Sequence, residues 1–334
     1  MRRFSASGLI WALAIILPVV SLLSMTVGTV SISFSDLFAA DSRQTETILF
    51  DIRLPRILLA ICVGAVLSST GAVMQGLFRN PLADPSLIGV SSGASVGASL
   101  MIVAAGGFIQ SGALIGLSLV AVGAFVGGFV ATLLVYRLAT SGIGTSVTTM
   151  LLAGIAIAAI AGALNSLLSY FSDNDMLRQI SLWQMGNLSG ASWTKVTIMA
   201  SVALLLMSLF PRDSRALNAL LLGESEARHL GVDVQAVKRR LIILTALGVG
   251  VCVALAGLVG FVGLIIPHIV RLAIGPDHRW LIPASALAGA TLLVFADSLA
   301  RIVVIPAELP TGILTALLGA PFFVVLLLQQ RKQV

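Results

Sequence analysis

Charge is scarce in this sequence: only 10% of its 334 residues are Asp, Glu, Lys or Arg, against about a quarter in a soluble domain. So few charges cannot cover a water-facing surface, which excludes an ordinary soluble fold. Lysine is nearly missing, occurring at Lys195, Lys238 and Lys332 alone, never after a glycine. Without a G-x-x-x-x-G-K-[ST] loop the chain cannot cradle the phosphates of a nucleotide as its own P-loop ATPase. The three histidines, His229, His268 and His278, show no i, i+4 pairing, and neither H-E-x-x-H nor G-x-S-x-G occurs. Zinc-protease and serine-hydrolase chemistry therefore have no foothold. Cys62 and Cys252 both lie inside apolar runs and read as small packing residues, not as a disulfide or a metal pair. Period-two alternation is also missing, which argues against a transmembrane barrel.

What is present is apolar. Hydrophobic residues make up 58% of the chain, mean hydropathy is +1.06, and charge-free runs repeatedly exceed the roughly 20 residues that cross a hydrocarbon core. A helical bundle satisfies its own backbone hydrogen bonds in lipid, so the expected class is an all-α polytopic membrane protein. The net charge of +6 sits in short loops between apolar spans; with no continuous basic stripe, nucleic acid is not an expected partner. After Met1-Arg2-Arg3 the chain stays uncharged to Ser35. That run is too long for a signal-peptide core and is not closed by an A-x-A site, so it reads as a retained first helix.

Ten crossings are predicted. Helix 1 is placed at about 8–30 and helix 2 at about 56–78. The uncharged stretch 85–136 is split into helices 3 and 4 at Gly106-Gly107 and Gln110-Ser111-Gly112. Helices 5, 6, 7, 9 and 10 fall at about 145–168, 193–210, 241–258, 281–300 and 311–329. A short helix 8 near 264–274 sets the parity of everything after it. With it, 14 of the 20 basic residues share one side, which nets +8 while the other nets −1. The positive-inside rule then puts both termini in the cytoplasm.

Small residues recur every four positions at Gly89, Gly93 and Gly97, at Gly112 and Gly116, and at Gly123 and Gly127. In lipid, such spacing lets helix backbones approach closely. Gly64, Gly71 and Pro81 recur as Gly250, Gly257 and Pro267, 186 residues on. Transporters often contain internal repeats, although three matches in a glycine-rich chain are also compatible with chance.

Asp297 is the one acid placed within a span, with Arg301 four residues on. An intramembrane acid points to function by default, and an i, i+4 ion pair is the structural reading. Proton- and sodium-coupled carriers usually need several such groups, and this chain offers almost none, so a passive channel or ion-coupled carrier is the alternative of another class. Power must come from a partner, or the protein is a passive channel. The segment Arg212 to Arg240 holds ten of the 34 charged residues. Within it, Ala216–Gly231 reads as a helix, a Gly-Glu turn and a second short helix, whose apolar and charged faces suit docking on a soluble protein. On the predicted outer side, Arg53, Arg56 and Arg301 suit an acidic partner surface or lipid headgroups. Arg178, Trp183 and Met185 follow helix 5 and are open to two readings, ligand contacts or an interfacial helix with an aromatic anchor.

Together these residues resemble the BtuC/FecCD family, the permease subunits of binding-protein-dependent ABC importers for ferric siderophores, haem and cobalamin. The resemblance rests on Leu54-Pro-Arg56, Gln75-Gly-Leu-Phe-Arg-Asn-Pro-Leu-Ala-Asp-Pro85 and Gly89-Val-Ser-Ser-Gly-Ala94. It continues at Leu222-Gly-Glu224 with Ala227-Arg228, Gly260–Arg271, Ala296-Asp297, Glu308-Leu-Pro-Thr-Gly312 and Leu318-Gly-Ala-Pro321. The form of the Gln75–Pro85 and Gly89–Gly93 segments is most similar to the haem-importing branch.

The resemblance implies one permease domain over residues 1–334, with coupling helices at about 212–240. It implies that Leu220, Leu222, Gly223, Glu224 and Arg228 meet the ATPase subunit, and that Arg53, Arg56 and Arg301 receive acidic groups of a periplasmic binding protein. Ser91, Ser92, Thr148 and Thr149 would lie at the pathway and gate. The implied assembly has two copies of this chain, two ATP-binding cassette subunits and a binding protein in a bacterial inner membrane. No catalytic residue, metal or cofactor is expected in this chain; ATP and Mg belong to the partner subunit.

Overall fold

The computed structural model describes residues 5–30, 32, 43–104, 114–142 and 144–331. The helices are α1 (Ala6–Thr26), α2 (Arg43–Leu77), α3 (Val90–Ala104), α4 (Leu114–Ala139), α5 (Val147–Tyr170), α6 (Asn174–Gln184) and α7 (Trp193–Leu209). They continue with α8 (Ser214–Leu222), α9 (Glu224–His229), α10 (Val234–Ala256), α11 (Val262–Ile274), α12 (His278–Ala300) and α13 (Thr311–Arg331). A two-residue hairpin, β1 (Thr140–Ser141) against β2 (Gly144–Thr145), joins α4 to α5.

Seven described helical stretches are long and apolar enough to cross a membrane, and the shorter apolar helices lie at Val90–Ala104, Val262–Ile274 and Thr311–Val325. This agrees with about ten crossings, helix 8 included as α11. The Gly106–Gly112 break and the Gly112–Gly116 spacing fall outside the described residues or their side chains. Two spans begin earlier than expected. Helix α2 starts at Arg43 through a π-helical stretch, Thr47–Arg53. Helix α10 starts at Val234 and absorbs Lys238, Arg239 and Arg240, because Asp233 caps it by accepting from Ala236 N at 3.0 Å. An acceptor there satisfies one of the orphan amides of the first turn.

The residues pack into two compact units, each drawn from separate segments. One contains the chain up to Ala72, Asn187–Ser214 and the chain from Val259 on. Its packing depends on backbone approach: a Cβ at Gly64 would run into the Gly289 carbonyl, and one at Gly71 into the Gly263 carbonyl. Helix α1 lies against α12, where the Ser298 hydroxyl donates to Ser24 Oγ at 2.8 Å.

The other unit comprises Val73–Gly186 and Arg215–Leu258. There α3 and α4 cross through the four-residue spacing, Gly93 meeting Gly127 and Gly97 meeting Gly123. With little hydrophobic drive between helices in lipid, such contacts supply the attraction. Gly154 of α5 lies against the Leu87 carbonyl, and Gly257, at φ +70°, ends α10 against the backbone at Trp183 and Gly186.

The suggested repeat is not matched by equivalent environments. Gly64 and Gly71 sit mid-helix against backbone, whereas Gly250 faces the Phe125 ring and Gly257 terminates a helix. Pro81 lies in a turn and Pro267 within α11.

Candidate coupling surface and buried arginine cluster

In the unit built from Val73–Gly186 and Arg215–Leu258, α8 and α9 are separated by Gly223 alone, at φ +127°. A side chain is strained in that region, so glycine makes the abrupt turn possible. Leu217 and Leu220 are fully buried, as is Ala227. Leu222 (68% exposed) and Leu230 (64% exposed) face outward with the charged rim of Glu226, Arg228 and His229. The expected coupling residues therefore divide by burial. Leu222, Glu224 and Arg228 are at the surface, while Leu220 faces inward; the expectation of Leu220 as a contact is corrected, because period-3.6 packing turns it to the core.

Glu224 opens α9 and is held from two directions. Arg228, one turn on, lies 3.9 Å from it, and the Lys238 ammonium donates to its Oε1 at 2.6 Å. Lys238 also donates to the Thr145 carbonyl at 2.8 Å, and Thr145 N donates to Gln235 Oε1 at 3.0 Å. Thr145 ends the hairpin that precedes α5. Ser146 caps α5, accepting from Thr149 N at 3.3 Å and from the Thr149 hydroxyl at 3.0 Å. Thr148 and Thr149 are exposed at the start of α5, whereas Ser91 and Ser92 are half-buried in the first turn of α3. Ser92 donates to the Gly89 carbonyl at 3.1 Å. The hairpin and the Lys238 link were not read from the sequence; the only signal was that Lys238 is one of three lysines.

Helix α5 exposes a long apolar face, including Leu152, Ile155, Ile160, Leu164 and Leu167. Helix α6 is amphipathic, with Ile180 buried, Trp183 half-buried and Arg178 exposed, and Met185, exposed, follows its last turn. That pattern matches the interfacial-helix reading.

The arginine cluster belongs to the other unit. Arg56, at the start of the apolar part of α2, points Nε at Asp297 Oδ2 (2.9 Å) and Oδ1 (3.1 Å), and Nη1 at Glu308 Oε2 (2.7 Å). Its Nη2 is buried without a hydrogen-bond partner among the described residues. Arg301 Nε lies 3.4 Å from Asp297 Oδ2, and its remaining nitrogens donate to Val27 O at 2.9 Å and to Ser24 Oγ. Thr311 donates to Asp297 Oδ1 at 3.0 Å, and Arg53 donates to the Met25 and Val30 carbonyls.

All three arginines are at most 5% exposed. The expectation of an open basic patch is corrected: a charge among apolar helices is stable only with partners, and these guanidiniums find theirs inside the unit. Glu308, at 32% exposure, is the cluster's solvent-facing member. The Asp297–Arg301 pair exists, but Arg56, distant in sequence, is the closer partner of Asp297.

Among the described residues, no group of three His, Cys, Asp or Glu side chains converges as a metal site, and Cys62 and Cys252 form no disulfide.

Comparison with known proteins adds lineage to this geometry. The chain is 46% identical over 322 residues to the hemin transport system permease protein HmuU of Yersinia pestis, covering 96% of this chain and 95% of that one. It is 42% identical over 320 residues to the vitamin B12 import system permease protein BtuC of Shigella boydii serotype 18, covering 96% and 94%. A solved inward-facing metal-chelate type ABC transporter superposes with a TM-score of 0.86 at 35% identity, covering 97% of this chain and 99% of that one. The model of the FecCD transport family matches residues 16–329, and the chain belongs to that family.

Proposed function

We propose that this chain is the membrane permease of an ABC importer that carries haem from a periplasmic binding protein into the cytoplasm. The supporting observation is the near full-length likeness to a hemin permease, which runs through both compact units and so favours one permease domain. Two copies would enclose the pathway, each contributing the exposed apolar face of α5. The chain itself would be no enzyme: ATP and Mg would sit on a separate ATPase subunit docked at Leu222, Gly223, Glu224 and Arg228. Binding and hydrolysis of ATP by that subunit would drive alternating access.

Both termini would lie in the cytoplasm of a bacterial inner-membrane protein, as the distribution of Lys and Arg suggests. The binding protein would dock at the end carrying Arg53, Arg56 and Arg301. There its acidic side chains would compete with Glu308 for Arg56, whose Nη2 has no hydrogen-bond partner among the described residues. Ser91, Ser92, Thr148 and Thr149 would border the passage.

The test is uptake into proteoliposomes containing the permease with its ATPase subunit, supplied with hemin, a ferric siderophore or cobalamin on the matching binding protein. ATP-dependent hemin uptake is expected. Uptake of cobalamin alone would transfer the assignment to the BtuC-like alternative, and ATP-independent passage would indicate a channel.

A further inference from the structure

Lys238 is buried at 1% exposure near the start of α10, and no role for it follows from docking alone. Its ammonium joins two elements far apart in sequence: the Glu224 carboxylate at 2.6 Å and the Thr145 carbonyl at 2.8 Å. Three residues earlier on the same helix, Gln235 accepts from Thr145 N at 3.0 Å. Both backbone groups of Thr145 are thus gripped by α10. Thr145 also pairs with Thr140 across the hairpin, and the next residue, Ser146, is the cap that starts α5. Glu224 follows Gly223 directly, so it belongs to the turn through which a docked ATPase would act.

We propose that Lys238 is a positioning residue that transmits movement of the Gly223–Glu224 turn to the first turn of α5. The proposal rests on the importer reading above. A buried ammonium separated from its counter-charge is strongly destabilised. When α9 moves, Lys238 follows the Glu224 carboxylate, and the Thr145 carbonyl either follows Lys238 or is released. Either event alters the hairpin that sets where α5 begins and where Thr148 and Thr149 stand. A compact ammonium with three rotatable donors can serve a carboxylate and a carbonyl at once.

The plain alternative is a static clamp that only fastens α9 to α10. The two differ in the uptake obtained per ATP hydrolysed. The experiment uses the complete complex in proteoliposomes with hemin, a ferric siderophore or cobalamin, whichever the wild type takes up. For Lys238→Met, the ATPase subunit is expected to copurify and to hydrolyse ATP at near the wild-type rate. Uptake per ATP should fall by about tenfold, within the usual range of coupling between sites. Gln235→Leu, which leaves Glu224 untouched, should give a smaller fall, and the double variant should be no worse than Lys238→Met.

Unchanged uptake per ATP in Lys238→Met overturns the relay while leaving the importer reading intact. If that variant does not assemble, Gln235→Leu carries the same test, and normal coupling in it is equally fatal. A wild-type complex that does not form, or that moves none of the three ligands, overturns the importer reading, and the relay with it.

Discussion

Replacing Asp297 by Asn is the sharpest test of the buried arginine cluster. Asp297 is 1% exposed and faces the Arg56 Nε at 2.9 Å, the Arg301 Nε at 3.4 Å and the Thr311 hydroxyl at 3.0 Å. The substitution keeps the shape and one acceptor oxygen but removes the charge, leaving Glu308, among the described residues, as the one carboxylate paired in a cluster of three buried guanidiniums. Breaking one partner of a buried ion pair costs about 3–5 kcal/mol. The lower end applies here, because Glu308 still holds Arg56 Nη1 at 2.7 Å, and Arg301 retains Ser24 and the Val27 carbonyl. The expected loss is therefore about 3 kcal/mol, read as a lowered thermal midpoint in detergent and earlier unfolding in an SDS titration. Removing both charges with Arg56→Met and Asp297→Leu should recover most of it, since a buried pair exchanged for apolar groups is often neutral. Stability of Asp297→Asn within about 0.5 kcal/mol of wild type, the range of an ordinary surface substitution, would show that the cluster is hydrated and the argument unsound.

Other outcomes are expected at positions chosen for different physics. Gly71→Val places a side chain on the Gly263 carbonyl, so α2 must shift; overpacking of about 1–3 kcal/mol or more should appear as loss of monodisperse protein in size-exclusion chromatography. Gly123→Leu should do the same to the α3–α4 crossing, whereas Gly162→Ala, with open space around it, should be silent by the same measure. Leu222→Asp with Leu230→Asp changes exposed apolar side chains and should abolish copurification of the ATPase subunit without altering thermal stability. Glu224→Arg puts a second cation beside Lys238 and should abolish substrate-stimulated ATP hydrolysis; normal stimulation would remove Glu224 from the coupling turn.

Elements with a strong local signal were legible. The spans follow from apolar length, and α11 (Val262–Ile274) lies where the charge count favours a short helix near 264–274. The turn at Gly223 was readable from Gly-Glu between two amphipathic stretches. Leu220 was misjudged because its apolar character is the same whether it faces a partner or the core; only the phase of α8 separates it from Leu222. The burial of the three arginines is hidden in the sequence for a related reason. In sequence, Arg53 and Arg56 stand alone at a helix mouth. Their acceptors are backbone carbonyls near α1 and the carboxylates Asp297 and Glu308, more than 240 residues away from Arg56.

By itself, the sequence determined that this chain lives in a membrane and crosses it about ten times. Those conclusions depend on summed transfer free energies and on missing residue types, which need no knowledge of neighbours. Tertiary structure decided which charges are open and which are spent. It buried Arg53, Arg56 and Arg301, and it set Lys238 between Glu224 and Thr145. A charge among apolar helices must find its partner wherever the packing brings one, and that pairing is a property of three dimensions.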